Sequence, residues 1–251
     1  MRAVARSLHR TARRPRAAPR FYPRDVLRAV VFDVDFTLAR PGPELGPEGY
    51  VRVGERHGLA LDPTQYERAR NDALVELKLH PDFDHDDTIW FAFTERVVLG
   101  MGGIAPASYE CAVEITRGWE RHDNFELYED VLPALAELRG TGLKIGLVSN
   151  SARDVHAFAR HHGLDIDAGI SSFHHGKTKP HGSIFRAVLD LLEVAPAEAA
   201  MVGDTIEDDV EGAIAVGMRA VLVDRLGRHP DFEPRVEDLY ALPAALGLHR
   251  V

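Results

Sequence analysis

The chain has 251 residues, 45% hydrophobic and 27% charged, with a formal net charge of −9. That length accommodates one good core and a smaller second unit, and the composition is ordinary for a soluble globular protein. No uninterrupted apolar stretch approaches the roughly 18 residues a membrane span requires, and Cys111, the sole cysteine, excludes an internal disulfide and points to a reducing cytoplasm.

Residues 1–20 hold seven arginines (Arg2, Arg6, Arg10, Arg13, Arg14, Arg16 and Arg20) of 30 basic residues and none of 39 acidic ones, which leaves 23 basic against 39 acidic residues, a net of −16. An Arg-rich, acid-poor tail is compatible with organellar targeting or with contact to nucleic acid or acidic lipid. The expectation adopted for residues 1–24 is an unfolded extension or an over-long start, because charged termini of low apolar content cannot bury enough surface to fold. Arg13-Arg14 is not followed by an apolar stretch of export-signal length, so secretion is not expected. The acidic body gives little electrostatic reason to bind nucleic acid.

From Leu27 onward strand-like and helix-like segments alternate, which argues for an α/β sheet with helices on its faces. The first strand, Leu27 to Asp33, runs into Val31-Phe-Asp-Val-Asp-Phe-Thr-Leu38, placing Asp33 and Asp35 where the apolar run meets a turn. Acids at i and i+2 share one side of a strand, but beyond its end the turn can swing them apart, which suits a nucleophile beside a proton donor. The segment from Pro41 to Leu127 breaks the alternation. It contains no convincing strand and four helical stretches, near 45–58, 63–79, 87–100 and 106–121, punctuated by Pro63, Pro81 and Gly102-Gly103.

Helices near 129–140, 153–163, 182–193 and 207–217 then interleave with strands at Ile145–Ser149, Asp167–Ser171, Ala199–Gly203 and Ala220–Val223. Gly142, Gly163 and Gly217 follow helical stretches as stop signals. The candidate catalytic residues follow strands and converge on one edge, where open α/β sheets bind ligands.

Four segments carry the chemistry: the Asp33/Asp35 run, Ser149-Asn150, Lys179-Pro180, and Met201-Val-Gly-Asp-Thr-Ile-Glu-Asp-Asp-Val-Glu-Gly-Ala213. In order and spacing they resemble the signature motifs of the haloacid dehalogenase superfamily, whose commonest members are magnesium-dependent phosphatases. The resemblance spans residues 27–224. It implies a Rossmann-like, doubly wound parallel core over 25–40 and 128–251, with 41–127 similar to the helical cap inserted after the first motif in one branch. Such a cap closes over the site, excludes water and selects the substrate.

Carried over residue by residue, the resemblance makes Asp33 the nucleophile that becomes an aspartyl phosphate. Asp35 protonates the leaving alcohol and then deprotonates the hydrolytic water. Ser149 and Asn150 bind the phosphoryl oxygens, and Lys179 adds charge there while steadying Asp33. Mg²⁺ falls to Asp33, the backbone carbonyl of Asp35, and Asp204. Asp208 and Asp209 are both placed to support it, and Asp209, the last acid of the stretch, is favoured. The implied partner is a small phosphorylated molecule rather than nucleic acid or membrane, with the protein a monomer or homodimer.

Singly, these signals have blander readings: an acid pair at a strand end as a solvated turn, Gly203-Asp204 as a common loop dipeptide, Ser149 as a helix cap. Their joint occurrence favours catalysis. Phe36 stands where the family most often has Gly and is read as apolar packing beneath the cap, with a narrowed pocket as the alternative. The stretch His80-Pro-Asp-Phe-Asp-His85-Asp-Asp87 mixes metal-ligating residue types but reads as a polar loop, and His161-His162 and His174-His175 read as surface. Trp90, Phe91 and Phe93 read as cap core, and Arg117, Trp119 and Arg121 as a solvated helix face.

Four rival functions share the pattern. A dehalogenase of this fold uses the first Asp on carbon and does not need Asp35. A phosphonate hydrolase needs a cap lysine, for which Lys78 is the sole candidate, and a phosphomutase needs the same core residues. A binding protein with a relic site has no need to keep all of them.

Overall fold

The computed structural model describes residues 27–77 and 80–248; the tail over 1–24 and Lys78 lie outside the described residues. In chain order the elements are β1 (Ala29–Phe32), β2 (Ala39–Pro41), α1 (Pro47–Arg56), α2 (Tyr66–Glu76), α3 (Asp87–Gly100), α4 (Ala107–Gly118) and β3 (Phe125–Leu127). There follow α5 (Val131–Gly140), β4 (Lys144–Ser149), α6 (Val155–His162), β5 (Ala168–Ser171), α7 (Ser172–His175), α8 (Gly182–Leu192) and β6 (Ala199–Gly203). A π-helical segment, Ile206–Glu211, leads into α9 (Gly212–Ala215), and the chain closes with β7 (Arg219–Val223), β8 (Arg235–Val236) and α10 (Leu242–Ala245). Among the described residues no helix is long and apolar enough to cross a membrane.

Six strands form one sheet in the order β5-β4-β1-β6-β7-β8, with every neighbouring pair parallel. Helices cover both faces, so the central strand is apolar throughout rather than alternating: Ala29, Val30, Val31 and Phe32 are all fully buried. Successive side chains still point to opposite faces. Val30 and Phe32 pack with Leu135 and Leu138 of α5 and Phe158 of α6, while Ala29 and Val31 pack with Phe185, Val188 and Leu192 of α8. Asp154 caps α6 by accepting from the N–H groups of His156 and Ala157, and Gly163 ends it at φ +69°.

Helices α1–α4 have a core of their own, in which Tyr50, Tyr66, Val97, Val98, Cys111 and Ile115 meet. On α3 the buried face is Thr94, Val97 and Val98. Of the aromatics expected in this core only Phe93 packs against it; Trp90 and Phe91 are half-buried, because they sit a turn before the face that α2 and α4 cover.

The segment expected to lack strands has one at each end. β2 and β3 pair antiparallel, Arg40 opposite Glu126 and Pro41 opposite Phe125, forming a ribbon through which the chain leaves and re-enters the parallel core. Three residues are too few to show a period of two. β8 is shorter still and escapes notice for the same reason. The helix expected over 207–217 is instead the π segment followed by one turn of α-helix, since the N–H groups of Asp209 and Val210 both donate to the Thr205 carbonyl.

Candidate active site

Phe32 pairs with Leu147 on one side and Val202 on the other, and the Asp33 N–H donates to the Val202 carbonyl at 2.9 Å. The carboxylate therefore emerges between the ends of β4 and β6, at the C-terminal edge of the sheet. Lys179 meets it there: its Nζ donates to Asp33 Oδ1 at 2.5 Å and to Asp209 Oδ1 at 2.6 Å, and all three side chains are buried. The other oxygen of Asp209 accepts from Thr205 N (3.0 Å) and Thr205 Oγ1 (2.7 Å). Gly203 makes this possible, because a methyl group on its Cα would overlap the Asp209 carboxylate.

Asn150 holds the lysine's main chain from both sides, accepting from Lys179 N at 2.7 Å and donating to Lys179 O at 3.0 Å. Its side-chain amide, expected at the phosphate, is thereby engaged in fixing Lys179. Ser149 is buried at the end of β4 and its hydroxyl donates to Ser151 Oγ at 2.9 Å.

Asp33, Asp204 and Asp209 each offer a carboxylate oxygen, and these oxygens lie within 4.8 Å of one another. Among the described residues Lys179 is the buried cation that opposes these three acids, with Arg228 Nη2 reaching Asp204 from an exposed position at 4.0 Å. Burial, with the charges of Asp209, Asp204 and Asp35, holds Asp33 well above the ordinary carboxylate range against the pull of Lys179. Burial and the Asp209 charge push Asp204 up to about 7, and burial pushes Asp208 up to about 6. Burial alone would lower Lys179, but the charges of Asp209 and Asp33 and its hydrogen bonds to both outweigh it and raise it. An all-oxygen set with uncompensated negative charge fits a hard divalent cation.

A model of haloacid dehalogenase-like hydrolases matches residues 27–217. The chain belongs to that family. It is 30% identical over 224 residues to the glyceraldehyde 3-phosphate phosphatase of Methanopyrus kandleri, covering 85% of this chain and 90% of that protein. It is 37% identical over 158 residues to the phosphoserine phosphatase of Thermus thermophilus, covering 59% and 60% respectively. A crystal structure of a HAD phosphatase from Thermococcus onnurineus superposes with a TM-score of 0.64 at 27% identity, over 90% of this chain and all of that one (100%). The chain is thus a hydrolase whose named relatives include phosphatases.

The rest of the hydrolase's expected site is distributed less simply. Asp35 pairs with Arg153, whose Nη2 donates to both of its oxygens, at 2.7 and 2.6 Å. Phe36 lies partly exposed at φ +63° rather than packed away, in the left-handed conformation that glycine adopts without strain, which explains why this turn suits Gly. His162 and His175 are half-buried, not surface: His162 packs on Phe158, and His175 Nε2 contacts Ser183 Oγ at 2.7 Å. Trp119 packs edge-on against Phe125 at 5.7 Å rather than on a solvated face, whereas Arg117 and Arg121 are exposed.

The His/Asp stretch before α3 brings His80, Asp82 and Asp84 together, yet His80 Nδ1 accepts from Asp82 N (3.2 Å) and Asp84 is tied to Lys177 Nζ (2.5 Å). It clasps the core just before Lys179. Asp84 bridges to Lys177, the Phe83 carbonyl accepts from Thr178 N at 2.8 Å, and His85 Nδ1 meets Ser172 Oγ at 2.8 Å.

Two arginines that sequence reasoning passed over belong here as well. Arg225 donates to the Thr37 carbonyl from Nη2 (2.8 Å) and to buried Asp130 from Nη1 (2.9 Å), bracing the turn after Asp35. It lies two residues past the end of β7, so the strand-end rule that points to the acids points to it as well. Arg153 sits in the loop after Ser149, where composition cannot distinguish it from a solvated arginine.

Proposed function

We propose that this hydrolase is a Mg²⁺-dependent phosphatase of small phosphate monoesters, acting through an aspartyl phosphate on Asp33. The observation that carries the reading is Lys179 held between Asp33 and Asp209, with Asp204 alongside: one lysine among three acids at the mouth of a parallel sheet. Asp33, Asp204 and the carbonyl of Asp35 would hold Mg²⁺, with Asp209 supporting. The ion would supply charge to offset repulsion between the carboxylates and an incoming phosphoryl group. An Asp33 oxygen forms the bond to phosphorus as the bond to the leaving oxygen breaks, and the departing electron pair takes the Asp35 proton. Asp35 then removes a proton from water, whose oxygen attacks phosphorus and releases Asp33 and inorganic phosphate. Lys179 and the Ser149 hydroxyl bind phosphoryl oxygens. The named relatives act on a triose phosphate and a phosphoamino acid, which supports a small phosphorylated metabolite as substrate.

Phosphate release from p-nitrophenyl phosphate and a panel of metabolite phosphates, with Mg²⁺ or with EDTA, tests the reading. Release is expected with Mg²⁺ only; no release from any substrate by folded, Mg²⁺-supplied protein would sink it. Turnover that requires a bisphosphate activator would mark a mutase.

Metal and pH are expected to act together on stability. Asp204 and Asp208 have folded values of about 7 and about 6 against 3.8, so the folded protein binds their protons more tightly than the unfolded chain does. Their stabilising effect is complete below the unfolded value and is lost as pH rises through 6 to 7. The metal-free melting temperature should therefore fall between about pH 5 and about pH 8, while the gain from Mg²⁺ should grow over the same interval. A Mg²⁺-induced thermal shift of equal size at both pH values would refute this.

A further inference from the structure

We propose that Arg153 is the positioning residue for Asp35, fixing the acid–base carboxylate against the ribbon strand β3. The inference rests on the phosphatase reading and adds to it a residue outside the four motifs.

The guanidinium is buried, 3% exposed, and its Nη2 spans both oxygens of Asp35. Its flat face lies on the Phe125 ring, 3.9 Å from the centroid, with Phe158 behind it at 5.2 Å. Neither Nε nor Nη1 has a hydrogen-bond partner among the described residues. Asp35 is thus the one acceptor in this arginine's hydrogen bonding there.

A buried guanidinium with two unpartnered nitrogens is a poor way to stabilise a core, since orphaned donors carry a desolvation cost and an apolar residue of similar volume would pack there without it. What the arginine does that an apolar residue cannot is hold a carboxylate. Asp35 needs holding: it lies past the end of β1, in a turn secured by the bridge of Asp35 to Ala39 and by Arg225 on the Thr37 carbonyl. Those contacts fix the backbone and leave the side chain to Arg153.

The location adds a second consequence. Phe125 opens β3, by which the chain returns from helices α1–α4, and β3 pairs with β2, which starts at the residue bridged to Asp35. Arg153 therefore joins the acid, the ribbon carrying the helical unit, and the loop after Ser149. One side chain thus touches both Asp35 and that ribbon.

A positioning role has a kinetic mark that a structural one lacks. When the leaving oxygen is p-nitrophenolate, which is stable as an anion, proton donation contributes little; when it is an alkoxide, proton donation is essential. Arg153→Met is expected to lower kcat on an alkyl phosphate by about 10²-fold, the low end of general acid–base contributions, and on p-nitrophenyl phosphate by less than about five-fold, with KM little changed. Asp35→Asn should show the same grading, and adding Arg153→Met to it should cost nothing further. Arg153→Lys, which keeps a cation in reach, should recover part of the alkyl phosphate activity and serves as the test variant where Arg153→Met melts early. Equal losses on both substrates, an unchanged rate, or additivity with Asp35→Asn would overturn the proposal while leaving the phosphatase reading intact. A wild type that turns over neither substrate would overturn both.

Discussion

Asp33→Asn is expected to abolish phosphate release and, in the metal-free protein at about pH 8, to raise the melting temperature rather than lower it. On the proposed mechanism the activity loss, on the order of 10⁴-fold or more, follows from removing the atom that would bond to phosphorus, since amide oxygen is a poor nucleophile. The stability gain follows from the electrostatics of the cluster. Burial, then the charges of Asp209, Asp204 and Asp35, lift Asp33 well above 3.8 despite Lys179. An acid raised in the folded state contributes stability at low pH that is lost as pH rises through its folded value. At alkaline pH the buried Asp33 carboxyl therefore costs the metal-free fold, whether it ionises or keeps its proton. Asparagine has nearly the same shape and keeps an oxygen to accept from Lys179 Nζ, but it brings no charge. The measurement is a pair of thermal melts in EDTA beside the assay. A mutant melting below wild type at that pH would show that the Lys179 pair outweighs the burial of the charge.

This opposition between function and stability explains which parts of the molecule were legible in the sequence. The sheet was readable because a strand buried on both faces must be apolar throughout, and β4, β5, β6 and β7 begin within a residue of the expected positions. The acids stood out because Asp at the end of such a run contradicts its surroundings. Lys179 was found only through the motif pattern: it is distant in sequence from both carboxylates it joins, at separations of 146 and 30 residues. What remained hidden depends on three-dimensional closure. The ribbon β2–β3 pairs residues 86 positions apart and has no local periodicity. Asn150 looks like a phosphate ligand until its amide is seen clamped on the Lys179 main chain, and Arg153 looks solvated until Phe125 and Phe158 are seen enclosing it. The π segment over Ile206–Glu211 reads as an ordinary helix because its widening arises where Asp209 folds back on Thr205 over a glycine.

Lys179→Met should destabilise where Asp33→Asn stabilises, and the two together test whether this lysine is the keystone of the cluster. Methionine fills a similar volume, so packing is largely preserved and the change is electrostatic. It leaves Asp33 and Asp209 buried without their cation, and breaking one side of a buried ion pair costs about 3–5 kcal/mol. Lys179 is raised above 10.5, so in the wild type its contribution is fully present at neutral pH and is lost only above that value. The mutant can escape part of the penalty by keeping a proton on Asp33, which lower pH favours. The urea midpoint should accordingly drop further at the higher pH. Mg²⁺ should restore part of it, because the same oxygens then face a cation again. Activity should not return with the stability, since a metal cannot supply the ammonium that bonds Asp33 and, on the proposed mechanism, would meet a phosphoryl oxygen. The main-chain clamp from Asn150 survives the substitution, so the loop itself remains in place and the comparison stays local. A mutant with an unchanged midpoint at about pH 8 would mean that the two carboxylates find other compensation, and that the central lysine is there for catalysis alone.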